Sequence, residues 1–410
     1  MIRIFTILLL LVANNTFSRT IVIGKTGTVH TLREAISIAK DGDTILLTKG
    51  TYKEGNVIIN KSVHLLGVDA PVLDGDFKNE ILTLSGKDIT VSGIHFANAG
   101  YSSMNDYAAV KVIDATRIVI ENNTITNAAF AIHISNSTLS IVRNNIIRGT
   151  KKSEHLSGNG IHLWKCERMT IDNNSIQGHR DGIYFEFVTE STIRKNVSEL
   201  NIRYGLHFMF SHSDTYLNNT FRNNGAGVAV MYSKNVRMED NIFDKNWGPS
   251  AYGILLKDIS NSHIRHNKFI QNTVAIHMEG SSRIEINSNV FNANGWAIKV
   301  QASCDDNTFH HNNFHGNSFD IATNGTMMLN KFYNNYWDKY EGYDMNKDGI
   351  GDVPYHPVSM YAMVVEQNPT TLMLMRSFII SLLDKAEKAI PSLTPENLVD
   401  DKPMLKPNKL

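Results

Sequence analysis

Residues 117–125 read RIVIENNTI and residues 262–269 read SHIRHNKF; in both, an apolar side chain is followed by two residues, an asparagine, one residue and a second apolar side chain. The phrase returns at Asn145, Asn174, Asn196, Asn219, Asn241, Asn289, Asn312 and Asn335. With Asn123 and Asn267 included, subtracting neighbours gives spacings of 22, 29, 22, 23, 22, 26, 22, 23 and 23 residues. The chain therefore repeats every 22–23 residues, with two insertions. Apolar and polar residues alternate within each unit, which is the period of a strand and not of a helix. A second alternating run follows in every unit: FAIHI (130–134), NGIHLW (159–164), DGIYFEF (181–187), YGLHFMF (204–210), AGVAVMY (226–232), YGILLKD (252–258), VAIHMEG (274–280) and WAIKVQA (296–302).

A unit this short cannot bury an apolar face alone; stacked in register, each strand finds a partner above and below. The predicted fold is all-β, a right-handed parallel β-helix solenoid, the hand following from the usual crossover rule. One inward column runs Ile120, Val142, Ile171, Ile193, Tyr216, Met238, Ile264, Ile286, Phe309, Phe332. A second runs Ile125, Ile147, Ile176, Phe221, Phe243, Phe269, Phe291, Phe314, Trp337, becoming aromatic toward its end. The repeated asparagine sits where the chain turns between strands, and its amide can donate and accept between coils. We read it as structural.

The ends break the pattern. Residues 32–40 have the spacing of a short amphipathic helix, suited to covering an open solenoid end. Beyond residue 359, LMLMRSFIISLLDKAEKAI (372–390) has helical spacing and 391–410 is a proline-punctuated tail. The expected division is a signal peptide at 1–18, an N-terminal cap with the first strands at 19–56, the β-helix at 57–358, and a C-terminal helix and extended tail at 359–410. The leader is read from Arg3, the apolar run Ile4–Val12, and the small residues Thr16 and Ser18. It predicts export to the periplasm. The run is too short to span a bilayer, and no later stretch supplies 18 apolar residues, so no transmembrane span is expected.

Lys+Arg and Asp+Glu each total 40, leaving no field of one sign to gather nucleic acid. The two cysteines, Cys166 and Cys304, lie six coils apart, about 29 Å at about 4.8 Å per coil. A disulfide needs Cα atoms within about 7 Å, so none is expected between them.

Three groups of residues invite chemistry. In the second strand of each unit the outward column reads His133, His162, Tyr184, His207, Ala229, Leu255, His277, Lys299. Beside it stand Ser135, Trp164, Glu186, Met209, Met231, Lys257, Glu279 and Gln301. The middle of that face collects His162, Trp164, Tyr184, Glu186, His207, Met209 and Met231, with Cys166 and His212 near its edge. Imidazole and thioether suit transient copper, and an exposed aromatic and methionine surface suits a protein partner. The competing reading is that like side chains recur on a β-helix merely because they stack. Second, DMNKDGIGD (344–352) places Asp344, Asn346, Asp348 and Asp352 as in a structural calcium loop, although Tyr355 stands where the bidentate Glu belongs. Third, Leu372, Leu374, Phe378, Ile379, Leu382 and Leu383 form an apolar set for contact with a membrane partner, with Arg376 arguing against a span. Carbohydrate chemistry, the alternative for a β-helix, needs paired carboxylates or a base beside a cation. Arg180, Asp181 and Glu186 are near one another, but no column repeats acids. A non-catalytic accessory and binding protein is the expectation, with polysaccharide binding or degradation as the alternative.

Residues 204–243 (YGLHFMFSHSDTYLNNTFRNNGAGVAVMYSKNVRMEDNIF), 335–357 (NYWDKYEGYDMNKDGIGDVPYHP) and 377–407 resemble the NosD family, periplasmic maturation proteins of nitrous oxide reductase. The likeness covers nearly all of the chain beyond the leader. It implies an ABC-type complex with the permease NosY and the ATPase NosF, and the copper chaperone NosL as a further contact. The implied task is assembly of the copper–sulfur centre of the reductase apoprotein. No copper ligand is carried over from the resemblance; the site residues rest on register alone.

Overall fold

The computed structural model describes residues 18–24, 29–102, 104–150, 153–325, 329–389 and 398–410; the expected leader lies, but for Ser18, outside them. Among the described residues three parallel sheets wind around one core: sheet A has 14 strands, from Thr20–Ile23 to Lys331–Tyr333, sheet B 13, from Thr51–Tyr52 to Tyr336–Trp337, and sheet C 12, from Val57–Ile59 to Phe319–Thr323. Each coil passes A, B, C in turn, as in Val119–Glu121, Thr124–Thr126 and Phe130–Ser135. The parallel β-helix is as expected, and both inward columns hold in register through every coil they span.

The aromatic column packs ring on ring: Phe243–Phe269, Phe269–Phe291 and Phe291–Phe314 centroids are 4.8, 5.0 and 4.7 Å apart, and Trp337 closes the stack at 4.0 Å. Each such pair adds about 0.5–1.5 kcal/mol beyond the area it buries. The coil between Ile176 and Phe221 fills the position with Ser198, whose Oγ donates to Gly205 O at 2.7 Å. Gly182 faces that hydroxyl so closely that a Cβ there would collide with it.

The asparagines form a continuous ladder at the A–B turn. The Oδ1 of Asn219, for example, accepts from the backbone N and the Nδ2 of Asn196, both at 3.0 Å, while its Nδ2 donates to Ile193 O at 2.9 Å. A second ladder, Asn201, Asn224, Asn246, Asn272, Asn294 and Asn317, runs up the B–C turn in the same way. At the C–A turn the equivalent position holds small groups such as Ser137, Ser211 and Ser281; Cys166 and Cys304 occupy it too, buried and unpaired. Burial pushes the Cys166 thiol up to about 11, so it serves as a packing group.

Helix α1 (Leu32–Ile38) starts at Thr31, whose side chain accepts from Glu34 N, and buries Leu32, Ala35 and Ile36 over the first coils. The strands Thr20–Ile23, Thr44–Leu47 and Thr51–Tyr52 already belong to the sheets, so the cap region is part of the stack. At the other end, α2 (Met360–Gln367) lays Tyr361, Ala362 and Val365 across Val274, Trp296 and Phe319 on the outside of sheet C. Lys299 pairs with Glu366 at 2.7 Å beneath it. Helix α3 (Phe378–Ala389) follows. The tail then returns to the solenoid: Asp400 bridges Phe332 and Met404 bridges Tyr336, both parallel, as a partial last rung. The last residues of the extended tail therefore cap the stack, with Leu398 and Asp400 buried. No helix of the described residues is long and apolar enough to cross a membrane.

Candidate functional site

Register builds the outer face of sheet C as expected. His133, His162, Tyr184, His207, Ala229, Leu255, His277 and Lys299 are paired coil to coil, and so are Ser135, Trp164, Glu186, Met209, Met231, Lys257 and Glu279 beside them. The coil spacing brings neighbouring rings into contact. His133 stacks on His162 at 4.6 Å, His162 lies against Tyr184 at 4.7 Å with 33° between planes, and Tyr184 meets His207 edge-on at 5.1 Å.

That stacking changes what the histidines can do. His207 points away from the core, between the inward Leu206 and Phe208, yet Tyr184 and Tyr204 cover it until 6% of it is exposed. Neither ring nitrogen has a hydrogen-bond partner, although Nδ1 faces Asp181 Oδ2 at 3.8 Å. It is a buried ring in a stack and not a surface ligand, which corrects the reading from alternation alone. Burial drives the His133 imidazole down to about 4, and burial with the charge of His133 drives His162 to about 3, so both are neutral at pH 7. His162 Nδ1 is 3.0 Å from Asn159 Nδ2. His212 turns round the corner, where its Nδ1 accepts from Lys234 N at 3.3 Å; it does not join the face. Trp164 lies under the Lys165 ammonium at 4.3 Å, and the Tyr184 hydroxyl meets Glu186 Oε2 at 3.3 Å. Among the described residues no three His, Cys, Asp or Glu side chains are arranged to hold a metal ion.

Two features of this face were not anticipated. At the C–A corner, one residue beyond Glu186, Met209 and Met231, stand Phe187, Phe210 and Tyr232, 44%, 37% and 39% exposed. Their rings stack at 5.2 and 5.0 Å, with 12° between planes. All three have left-handed backbones, φ 55°, 50° and 54°. Bulky residues adopt that conformation at a cost of about 1–2 kcal/mol each. Equivalent corners elsewhere use Asn136, Asp258 and Gly280, which tolerate it better, and Lys165 at φ 52°. The signal available in the sequence was three aromatic residues at one position of successive repeats. The opposite border carries the longer loops: the connections from His95–Ala97 to Ala108–Thr116, from Ile146–Arg148 to Asn159–Trp164 and from Ile242–Asp244 to Tyr252–Lys257 all pass from sheet B to sheet C. Insertions that gather on one face of a solenoid commonly mark its binding side. The Tyr101 hydroxyl donates to His155 O at 3.1 Å, joining two of these loops.

The acids near the face are committed to structure. Asp181 is fully buried in a two-bond pair with Arg203, 2.9 and 2.5 Å. Burial would raise its carboxyl, but His207 and Arg203 hold it below the ordinary value. Arg180, Asp181 and Glu186 thus present no open carboxylate pair. In the acidic loop, Asp344 accepts from the backbone N of Lys347, Asp348 and Gly349, Asp352 from Met345 N, and Asp348 from Ile350 N. Asn346 Nδ2 donates to Asp348 at 3.0 Å. These oxygens cap their own turn, which gives no support to calcium there.

In the tail, Leu372, Leu374, Phe378, Ile379 and Leu382 are exposed, Phe378 to 81%. Leu383 is not among them: it packs with Ile380 against the cluster under α2, so it belongs to the docking of the tail on the solenoid.

A protein-family model described as "Periplasmic copper-binding protein (NosD)" matches residues 143–348, half of the chain. The chain is 28% identical to a "Probable ABC transporter binding protein NosD" of Pseudomonas aeruginosa, over 91% of each chain. It is 26% identical to one of the same description from Stutzerimonas stutzeri, over 88% of this chain and 86% of that one. Among solved structures, a family 28 exopolygalacturonase of Yersinia enterocolitica superposes with a TM-score of 0.59, covering 77% of this chain and 78% of that one. At 10% identity it shares the fold alone.

Proposed function

Because this chain belongs to the NosD family of periplasmic copper-binding proteins, we propose that it is the periplasmic subunit of an ABC-type complex that serves the copper–sulfur centre of nitrous oxide reductase. Its relatives' name as binding proteins of an ABC transporter supports the first half of that reading. In it, the outer face of sheet C docks the reductase apoprotein or a copper chaperone such as NosL. The exposed side of the C-terminal helices meets the permease NosY, which the ATPase NosF drives. Copper is cargo here, passed across the thioethers of Met209 and Met231 and not held in a closed site; soft sulfur donors suit its monovalent form.

The observation that carries the docking assignment is the strained, exposed stack of Phe187, Phe210 and Tyr232 beside Met209 and Met231. Backbone strain of about 1–3 kcal/mol per residue, at an exposed position that gains little burial, points to use by a partner. Capture of the reductase apoprotein by the purified chain tests it. Wild type is expected to retain the apoprotein and the Phe187→Asn/Phe210→Asn/Tyr232→Asn variant to lose it. Equal retention removes the face from the interface.

A further inference from the structure

The outer face of sheet A carries imidazoles that neither the docking face nor the core uses. Glu285 is the hub. Its Oε2 lies 3.0 Å from His263 Nδ1, and its Oε1 lies 3.0 Å from His310 Nε2 and 2.8 Å from Asn287 Nδ2. The second nitrogen of His310, Nδ1, is 2.8 Å from Nδ1 of His311. The His310 ring is also fixed from below, stacked on Tyr333 at 5.0 Å with 2° between planes.

These contacts fix how the pair is oriented. The Glu285 carboxylate grips the far nitrogen of His310, Nε2, which turns Nδ1 of that ring toward His311. The two Nδ1 atoms meet in one hydrogen bond, at a spot a monovalent cation can occupy in place of its proton. A carboxylate gripping the far nitrogen of a ligating histidine is the usual second layer of a metal site, fixing tautomer and ring orientation.

We propose that His310 and His311 form a two-nitrogen site for monovalent copper, with Glu285 as the residue that positions His310. Two nitrogens with no third donor among the described residues fit Cu(I), which is stable with two ligands, better than zinc, which closes four. Metal–nitrogen bonds of about 2 Å allow the two Nδ1 atoms to stand at most about 4 Å apart, so the pair must open by about 1 Å. His311, at the left-handed corner of its coil with φ 53°, can swing outward while Tyr333 and Glu285 hold His310. The displaced proton passes to the other nitrogen of His311, and no electron changes hands. The site lies on a different sheet from the docking face, so each can fail alone.

The test is anaerobic titration of the full chain with Cu(I) against a chromogenic Cu(I) chelator. Two variants preserve the surroundings. His311→Asn places there the residue that stands at this corner as Asn122, Asn144, Asn173 and Asn218. His310→Phe keeps the ring on Tyr333. Wild type is expected to withhold one more equivalent of copper than either variant, and Glu285→Gln to weaken that equivalent by roughly ten-fold. Equal copper in wild type and the folded His311→Asn variant overturns the proposal. So does loss of the same equivalent on replacing Met209 and Met231 alone.

Discussion

The carboxylate of Asp400 occupies the place of one more asparagine above Asn335. Its Oδ2 accepts from the Asn335 backbone N at 3.2 Å, from Asn335 Nδ2 at 3.0 Å and from Trp337 Nε1 at 3.0 Å. A ladder that satisfies each rung with the next must end somewhere, and here the tail supplies the last acceptor from 65 residues away.

Replacing Asp400 with Ala leaves two buried donors, Asn335 N and Trp337 Nε1, without that partner, while Asn335 Nδ2 keeps Phe309 O and Tyr333 O. At about 1–3 kcal/mol for an unsatisfied buried group, partly relieved by water at the end of the stack, the expected loss is about 3 kcal/mol. Asp400→Asn keeps the acceptor and should stay within about 1 kcal/mol of wild type. Denaturant unfolding of both variants measures this. For the same reason, removing everything after residue 371 should destabilise the solenoid and not merely free it of a tail.

Asp214 makes the opposite prediction. Its Oδ1 accepts from Ser191 N at 2.8 Å, but Oδ2 is buried without a partner, and burial pushes the carboxyl well above its ordinary value. The folded state therefore holds a proton that the unfolded chain releases above about pH 3.9. The stability from that proton is complete below the unfolded value and is lost as pH rises toward the folded one. Asp214→Asn, which needs no proton, should match wild type near pH 4 and exceed it increasingly toward pH 7. Unfolding midpoints of the two proteins across that range give the difference directly, and parallel curves would rule the account out.

For the tail, Phe378, Ile379 and Leu382 changed together to Ser should leave thermal stability within about 0.5 kcal/mol, since the side chains already face water. The same variant should no longer co-purify with the permease. Leu383→Ser should instead loosen α3 from the solenoid, seen as faster proteolysis of residues 360–389.

At the aromatic corner two effects oppose each other. Asparagine at 187, 210 and 232 relieves the left-handed strain of about 1–2 kcal/mol per residue, and loses stacking worth about 0.5–1.5 kcal/mol per pair. Stability should hold or rise slightly while partner capture falls, as measured by melting and binding on the same preparation. A residue kept for the fold would show the reverse.

How much of this was legible follows from what a period can carry. The register columns read from the asparagine spacing hold as far as Lys299 and Glu279 on the outer face and Phe332 and Trp337 in the core, because a repeat of 22–23 residues states which residues are neighbours one coil away. The second ladder was equally open to view: Asn201, Asn224, Asn246, Asn272, Asn294 and Asn317 each follow a first-ladder asparagine by five residues. The burial of His207 was not, since alternation gives the side of a strand but not what leans over it from Tyr184 and Tyr204 on the coils and strand around it. The docking of Asp400 on Asn335 leaves no periodic mark at all, because the tail meets the ladder once. Leu383 shows the same limit, since helical spacing does not say which stripe faces the solenoid.

The account rests most heavily on the face of sheet C carrying copper toward its partner. Met209→Leu/Met231→Leu keeps volume and packing, at a cost under about 1.5 kcal/mol, and removes both sulfurs. The decisive measurement is the copper content of nitrous oxide reductase matured in cells whose only copy of this protein is that variant. We expect a folded reductase deficient in the copper of its copper–sulfur centre. A reductase with its full complement of copper would contradict the assignment.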